Sequence, residues 1–210
     1  YTQEALQSAS GEYNSMLNLA GDGIMGYIEI PKINVHLPIY HGTGDSSLSK
    51  GVGHLLGSSL PVGGSSTHAV LSGHSGMAGQ KMFTDLLQMK TGDIFYLHVL
   101  GETLAYEVDS LNTVLPHDTS LLGITDVSDL CTLITCTPIA VNSHRLLVTG
   151  HRIPFEAAKE MVEEAQLEDT EVESTWEQEY LRGLYIAIAV VLILFLICIV
   201  VALLGRNNDA

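Results

Sequence analysis

The chain has 210 residues, and its 9 Lys+Arg against 24 Asp+Glu give a formal net charge of −15, too acidic to hold nucleic acid through its phosphates. Only 16% of the residues are charged and 46% are hydrophobic, which excludes a wholly disordered chain. Three cysteines are too few for a disulfide framework.

Residues 1–20 carry Ala5, Ala9 and Tyr13 at four-residue spacing, then Met16 and Leu17. This predicts a short amphipathic N-terminal helix, interrupted at Ser10-Gly11. No Met, basic region or apolar region opens the chain at Tyr1, so any leader or first membrane span lies outside this sequence. After Gly21-Asp22-Gly23 come short runs rich in β-branched and aromatic residues. They predict strands at 24–30, 35–40, 68–72, 93–100, 103–109, 111–115, 130–136 and 145–150, with a tight hairpin of the Gly-first type at Gly101-Glu102. Between them, Met82, Phe83, Leu86, Leu87 and Met89 form the apolar stripe of a predicted helix over 81–90. About eight short strands with few helices indicate a closed barrel or a sandwich over residues 21–155.

Beyond the strands, residues 156–182 hold ten acids and two bases, −8 of the net −15, which reads as a solvated, partly helical juxtamembrane linker. From Gly183 to Leu204 no charge occurs. At about 1.5 Å per residue that run spans a hydrocarbon core of roughly 30 Å, so a C-terminal transmembrane helix is predicted over 183–205, with a short tail at 206–210. Arg182 and Arg206 bracket it and balance each other, so the positive-inside rule does not orient the span.

Three polar residues stand beside apolar strands. Cys136 ends the run Leu-Cys-Thr-Leu-Ile-Thr-Cys, and Arg145 opens Arg-Leu-Leu-Val-Thr-Gly. If those strands pair antiparallel, both residues share one rim. His74 follows the strand at 68–72 with glycines on both sides. A strand-end Cys is most often a small buried hydrophobe, a lone Arg a surface charge, and a His between glycines a loop residue. Together they make a coherent set. A thiol nucleophile needs a nearby imidazole or guanidinium to favour its thiolate. The tetrahedral intermediate needs a fixed donor for its oxyanion, which Arg, with five donors and no acceptor, supplies.

The segment Thr132-Leu-Ile-Thr-Cys-Thr-Pro138, followed by Asn142-Ser-His-Arg-Leu-Leu-Val148, resembles the active-site signature of sortases. Leu71-Ser-Gly-His-Ser-Gly76 resembles their histidine loop. The stretches 23–33, 37–42, 51–54 and 57–63 resemble class C, the pilus-building subgroup. The resemblance implies an eight-stranded sortase-type β-barrel and a cysteine transpeptidase with Cys136 as nucleophile, His74 as general acid/base and Arg145 positioning substrate and oxyanion. It implies as partners pilin subunits that carry LPXTG-like sorting signals and an acceptor Lys, and as location the outer face of a Gram-positive cell membrane. No cofactor is implied. Three departures stand out: no Asp-Pro pair of a class C lid occurs, Ala140 replaces a common Gly, and Ser75 follows the His where Arg is common. Three other readings compete: a housekeeping sortase that uses a peptidoglycan amine, a tethered barrel that binds sorting signals without turnover, and an ordinary cysteine protease.

The nine His raise the question of zinc, but neither His68 with His74 nor His144 with His151 has helical ligand spacing, and no Cys-x-x-Cys occurs. No metal site is expected. Cys131 lies an odd five residues before Cys136, so the two face opposite sides of one strand and cannot pair.

Overall fold

The computed structural model describes residues 11–77, 79–167, 179–188 and 190–192. Eight strands run in chain order: β1 Ile24–Ile30, β2 Val35–His41, β3 Val52–His54, β4 Thr67–Ser72, β5 Ile94–Val99, β6 Glu102–Val114, β7 Asp129–Thr137 and β8 His144–Ile153. They close into a barrel in the order β1-β2-β3-β4-β7-β8-β6-β5. Pairings β2·β3 and β4·β7 are parallel; the others are antiparallel. The barrel alternative is therefore the correct one, and the sandwich is not.

Side chains alternate along each strand. Ile28, Ile39, Leu71, Phe95, Leu97, Tyr106, Leu133 and Val148 fill the barrel. Phe95 and Tyr106 stack at 5.4 Å, and the Tyr106 hydroxyl donates to Asp129 Oδ1. Cys131 belongs to this core, where burial pushes its thiol pKa up. Cys136 lies on the other face of β7, as the odd spacing requires.

Four local expectations differ from the structure. The runs 103–109 and 111–115 form one strand, β6, with a bulge between Val108 and Ser110. The three-residue β3 was not legible, because it is too short to show a period. The β5–β6 turn is Leu100-Gly101, with φ of 53° and 81°, so both central residues take positive φ as in a type I′ turn. The predicted helix over 81–90 shrinks to a 3₁₀ helix, Thr84–Gln88. Met82, Phe83, Leu86 and Met89 are buried as expected, whereas Leu87 is exposed.

The chain divides by contacts into units Tyr1–Val162 and Glu163–Ala210. In the first unit, residues 11–15 are helical. Tyr13 fastens them to the barrel: its hydroxyl is 2.8 Å from His54 Nδ1 and accepts from Gly42 N–H. The predicted helix before Gly11 lies outside the described residues. A second helix starts at residue 155, and its Ala158, Met161 and Val162 pack on Ile94, Tyr96 and Ala105. The acidic stretch thus begins in a helix, as its partly helical reading expects, with the Ala158 side docked on the barrel. In the second unit, residues 163–167, 179–188 and 190–192 are helical. Among the described residues no helix is long and apolar enough to cross a membrane; most of the predicted span, 189 and 193–205, lies outside them.

Candidate active site

The end of β7 and the start of β8 meet as the sequence predicted. Cys136 and Arg145 are direct partners in the antiparallel register, and Ile134 faces Leu147 one step below. All four lie on the outer face, because Leu133, Leu146 and Val148 take the core. On the other side of β7, parallel β4 carries the register to Ser72 opposite Ile134. His74 follows two residues later, and the adjoining Ser75 reaches the carbonyl of Cys136. One end of the barrel therefore gathers all three predicted residues.

The loop after β4 is tied to β7 at each step. Gly73 N–H donates to Ile134 O at 3.0 Å, and Thr135 Oγ1 donates to Gly73 O at 2.8 Å. Ser75 Oγ then donates to the carbonyl oxygen of Cys136 at 2.6 Å. On its far side the loop is held by Phe83 N–H on His74 O and by Gly76 N–H on Thr84 Oγ1. The Phe83 ring fills the space beside Gly73, where a Cβ would stand 2.7 Å from it. His74 and Cys136 are partly exposed, so a substrate has access to both.

Arg145 is held from below. Its Nη1 donates to Asn142 O at 3.1 Å and His144 O at 2.9 Å. Nε and Nη2 take no bond among the described residues, which leaves donors for an oxyanion beside Cys136. The β7–β8 connection, which supplies the Asn142 carbonyl, holds Ala140 and Asn142 in left-handed backbone, with φ of 69° and 58°. Its Ile139 leans on the His74 loop, and a Cβ on Gly76 would stand 2.5 Å from Ile139 Cγ2.

The β6–β7 connection starts at Val114, the partner of Arg145 on β6. It reaches the outer face of β4, where Gly123 O accepts from His68 Nδ1, and so passes over β8 and β7. His68 is buried, and its Nε2 meets Thr132 Oγ1 at 2.7 Å. That full set of partners gives His68 an anchoring role in place of a ligand role. Among the described residues, no three His, Cys, Asp or Glu are grouped to hold a metal ion.

A family model described as the sortase domain matches residues 28–153. The chain belongs to the sortase family. It is similar to the sortase C-1 crystal structure from Actinomyces oris, with 52% identity and a TM-score of 0.68 over 70% of this chain and 82% of that one. It is also similar to the pilus-related sortase C of Group B Streptococcus, with 39% identity and a TM-score of 0.64 over 74% and 93%. Sortase D of Bacillus subtilis (strain 168) is 32% identical over 131 residues, 61% of this chain and 63% of that protein. The chain spans about three fifths of the length of the curated relatives it matches. The resemblance to class C sortases read from the motifs therefore extends to the fold.

The bonds of Ser75 and Thr135 and the packing of Phe83 on Gly73 escaped the sequence reading, which marked Ser75 only as a departure and Phe83 only as part of an apolar stripe. Each acts through a partner distant in sequence or through the main chain, and only the alternation of β7, which puts Thr135 on the core side, was a usable signal.

Proposed function

We propose that this sortase is a cysteine transpeptidase of pilus assembly, with Cys136, His74 and Arg145 in the roles the motifs imply. The observation that carries the reading is the pairing of Cys136 with Arg145 across β7 and β8, with the His74 loop bonded to the carbonyl of Cys136. The Cys136 thiolate attacks the Thr–Gly carbonyl of an LPXTG-like sorting signal. Arg145 donates to the carbonyl oxygen as it becomes an oxyanion. The C–N bond breaks, His74 gives its proton to the leaving glycine amine, and a thioacyl enzyme remains. A Lys amine of another pilin subunit attacks that thioester, loses a proton to His74 and expels the thiolate, leaving an isopeptide bond.

The pilin acceptor is favoured over a peptidoglycan amine by similarity to a protein described as a pilus-related sortase C. The uncharged run 183–204 supports anchoring to the membrane, with the barrel on the outer face of a Gram-positive cell. The acceptor test offers the acylated enzyme a pilin domain with its Lys beside a peptidoglycan-type amine. The proposal predicts a covalent pilin dimer linked through Lys. Transfer to the peptidoglycan amine alone would assign wall anchoring, and saturable peptide binding without cleavage would assign a binding module.

A further inference from the structure

The main-chain ladder between β4 and β7 ends with Gly73 N–H on Ile134 O. A continued parallel ladder would bring the N–H of residue 75 to the carbonyl of residue 136. Here the hydroxyl of Ser75 makes that bond instead, at 2.6 Å. The side chain extends the ladder where the backbone has left it. The residue it reaches is Cys136, and the residue next to it in the chain is His74.

We infer that Ser75 is a positioning residue for transpeptidation: its hydroxyl, bonded to Cys136 O, sets the place of His74 relative to the Cys136 sulfur. The inference rests on the roles proposed for Cys136 and His74. Two features of the loop make this one bond matter. Thr135 Oγ1 and Ile134 O fix Gly73, but they lie before the imidazole. After it, the ties at Phe83 and Thr84 run to the following loop and not to β7. Among the described residues, Ser75 supplies the one recorded bond from beyond His74 back to the nucleophile strand. Without it, the loop keeps its fold while the imidazole loses its register with the sulfur. A proton transfer that depends on a donor–acceptor distance of about 3 Å is sensitive to such a loss.

The test compares Ser75→Ala, Ser75→Thr and Thr84→Ala in the full chain, using cleavage of an LPXTG-like peptide. Ser75→Ala should lower kcat by about 3- to 10-fold, the scale of one hydrogen bond, with KM within about twofold of wild type and an unchanged melting temperature. Ser75→Thr keeps the hydroxyl and should restore kcat. Thr84→Ala breaks a loop tie that does not reach Cys136 and should cost kcat less than Ser75→Ala does. The inference is overturned if Ser75→Ala matches wild type, if it raises KM alone, or if Thr does not restore what Ala loses. Equal losses in Ser75→Ala and Thr84→Ala would also overturn it, by pointing to general loop stiffness. If Ser75→Ala does not fold, Ser75→Thr still decides: the retained hydroxyl should keep kcat near wild type, and a loss of kcat there contradicts the inference. Cys136→Ala is run beside them: activity surviving there defeats the assigned nucleophile, whereas inactive Cys136→Ala with unaffected Ser75→Ala defeats the role of Ser75 alone.

Discussion

Ala140 shows how a residue type and a backbone angle conflict beside a reactive group. Its φ of 69° is a left-handed conformation that glycine adopts freely and alanine does not. The sequence already marked the position, since a Gly is common there in proteins with this signature, but only the dihedral angle shows why. Ala140→Gly should stabilise the fold by about 0.5–1 kcal/mol, because relief of αL strain slightly exceeds the entropy that glycine adds to the unfolded chain. Chemical denaturation would measure it; a loss of stability would show that the strain is absent. The pairing of Cys136 with Arg145 was legible for a simple reason. Two apolar runs joined by a short loop that opens with Pro138 and closes with Asn142-Ser143 form a hairpin, and its geometry places strand end against strand start. The bond made by Ser75 was not legible, because its partner is a main-chain oxygen 61 residues away.

At the scale of elements, strands whose apolar residues alternate were read correctly, and strands without room for a period were not. Val52–His54 is too short, and β6 was divided in two because its bulge interrupts the alternation at Asp109. The docking of the helix from residue 155 was hidden by the acids around it, although Ala158, Met161 and Val162 recur at helical spacing. Ala158 is fully buried against the barrel, so Ala158→Glu should cost about 2–4 kcal/mol by placing an unpaired charge there. A thermal melt matching wild type would contradict that packing. Between the two loops of the site, Gly76 combines a φ of 68° with the close approach of Ile139. Gly76→Ala should push the β7–β8 connection away and lower peptide cleavage severalfold, with Cys136 still present as a thiol in a titration with a disulfide reagent.

The whole molecule carries a pH response set by how its first described helix is fastened. His54 Nε2 faces Ser59 O, which only accepts, so Nε2 holds the proton and Nδ1 accepts from Tyr13. Burial holds the His54 pKa below the usual value of 6.5, opposed by the bond to Ser59. The folded state therefore binds this proton less readily than the unfolded chain. The contribution is fully present above about pH 6.5 and is lost as the pH falls below it. The melting temperature should fall between pH 7 and pH 5, and His54→Gln should reduce that slope; an equal slope in both proteins would exclude His54 as its source.

The proposed catalysis depends on the same closed barrel, which brings three residues 62 and 9 positions apart to one end. Intact-protein mass spectrometry of the enzyme with an LPXTG-like peptide addresses this directly. Wild type should gain the mass of the peptide fragment ending at threonine, mapped by digestion to Cys136. Cys136→Ala should gain none, and His74→Ala and Arg145→Ala should acylate about 100-fold more slowly. An adduct that persists in Cys136→Ala, or that maps to another residue, would contradict the site.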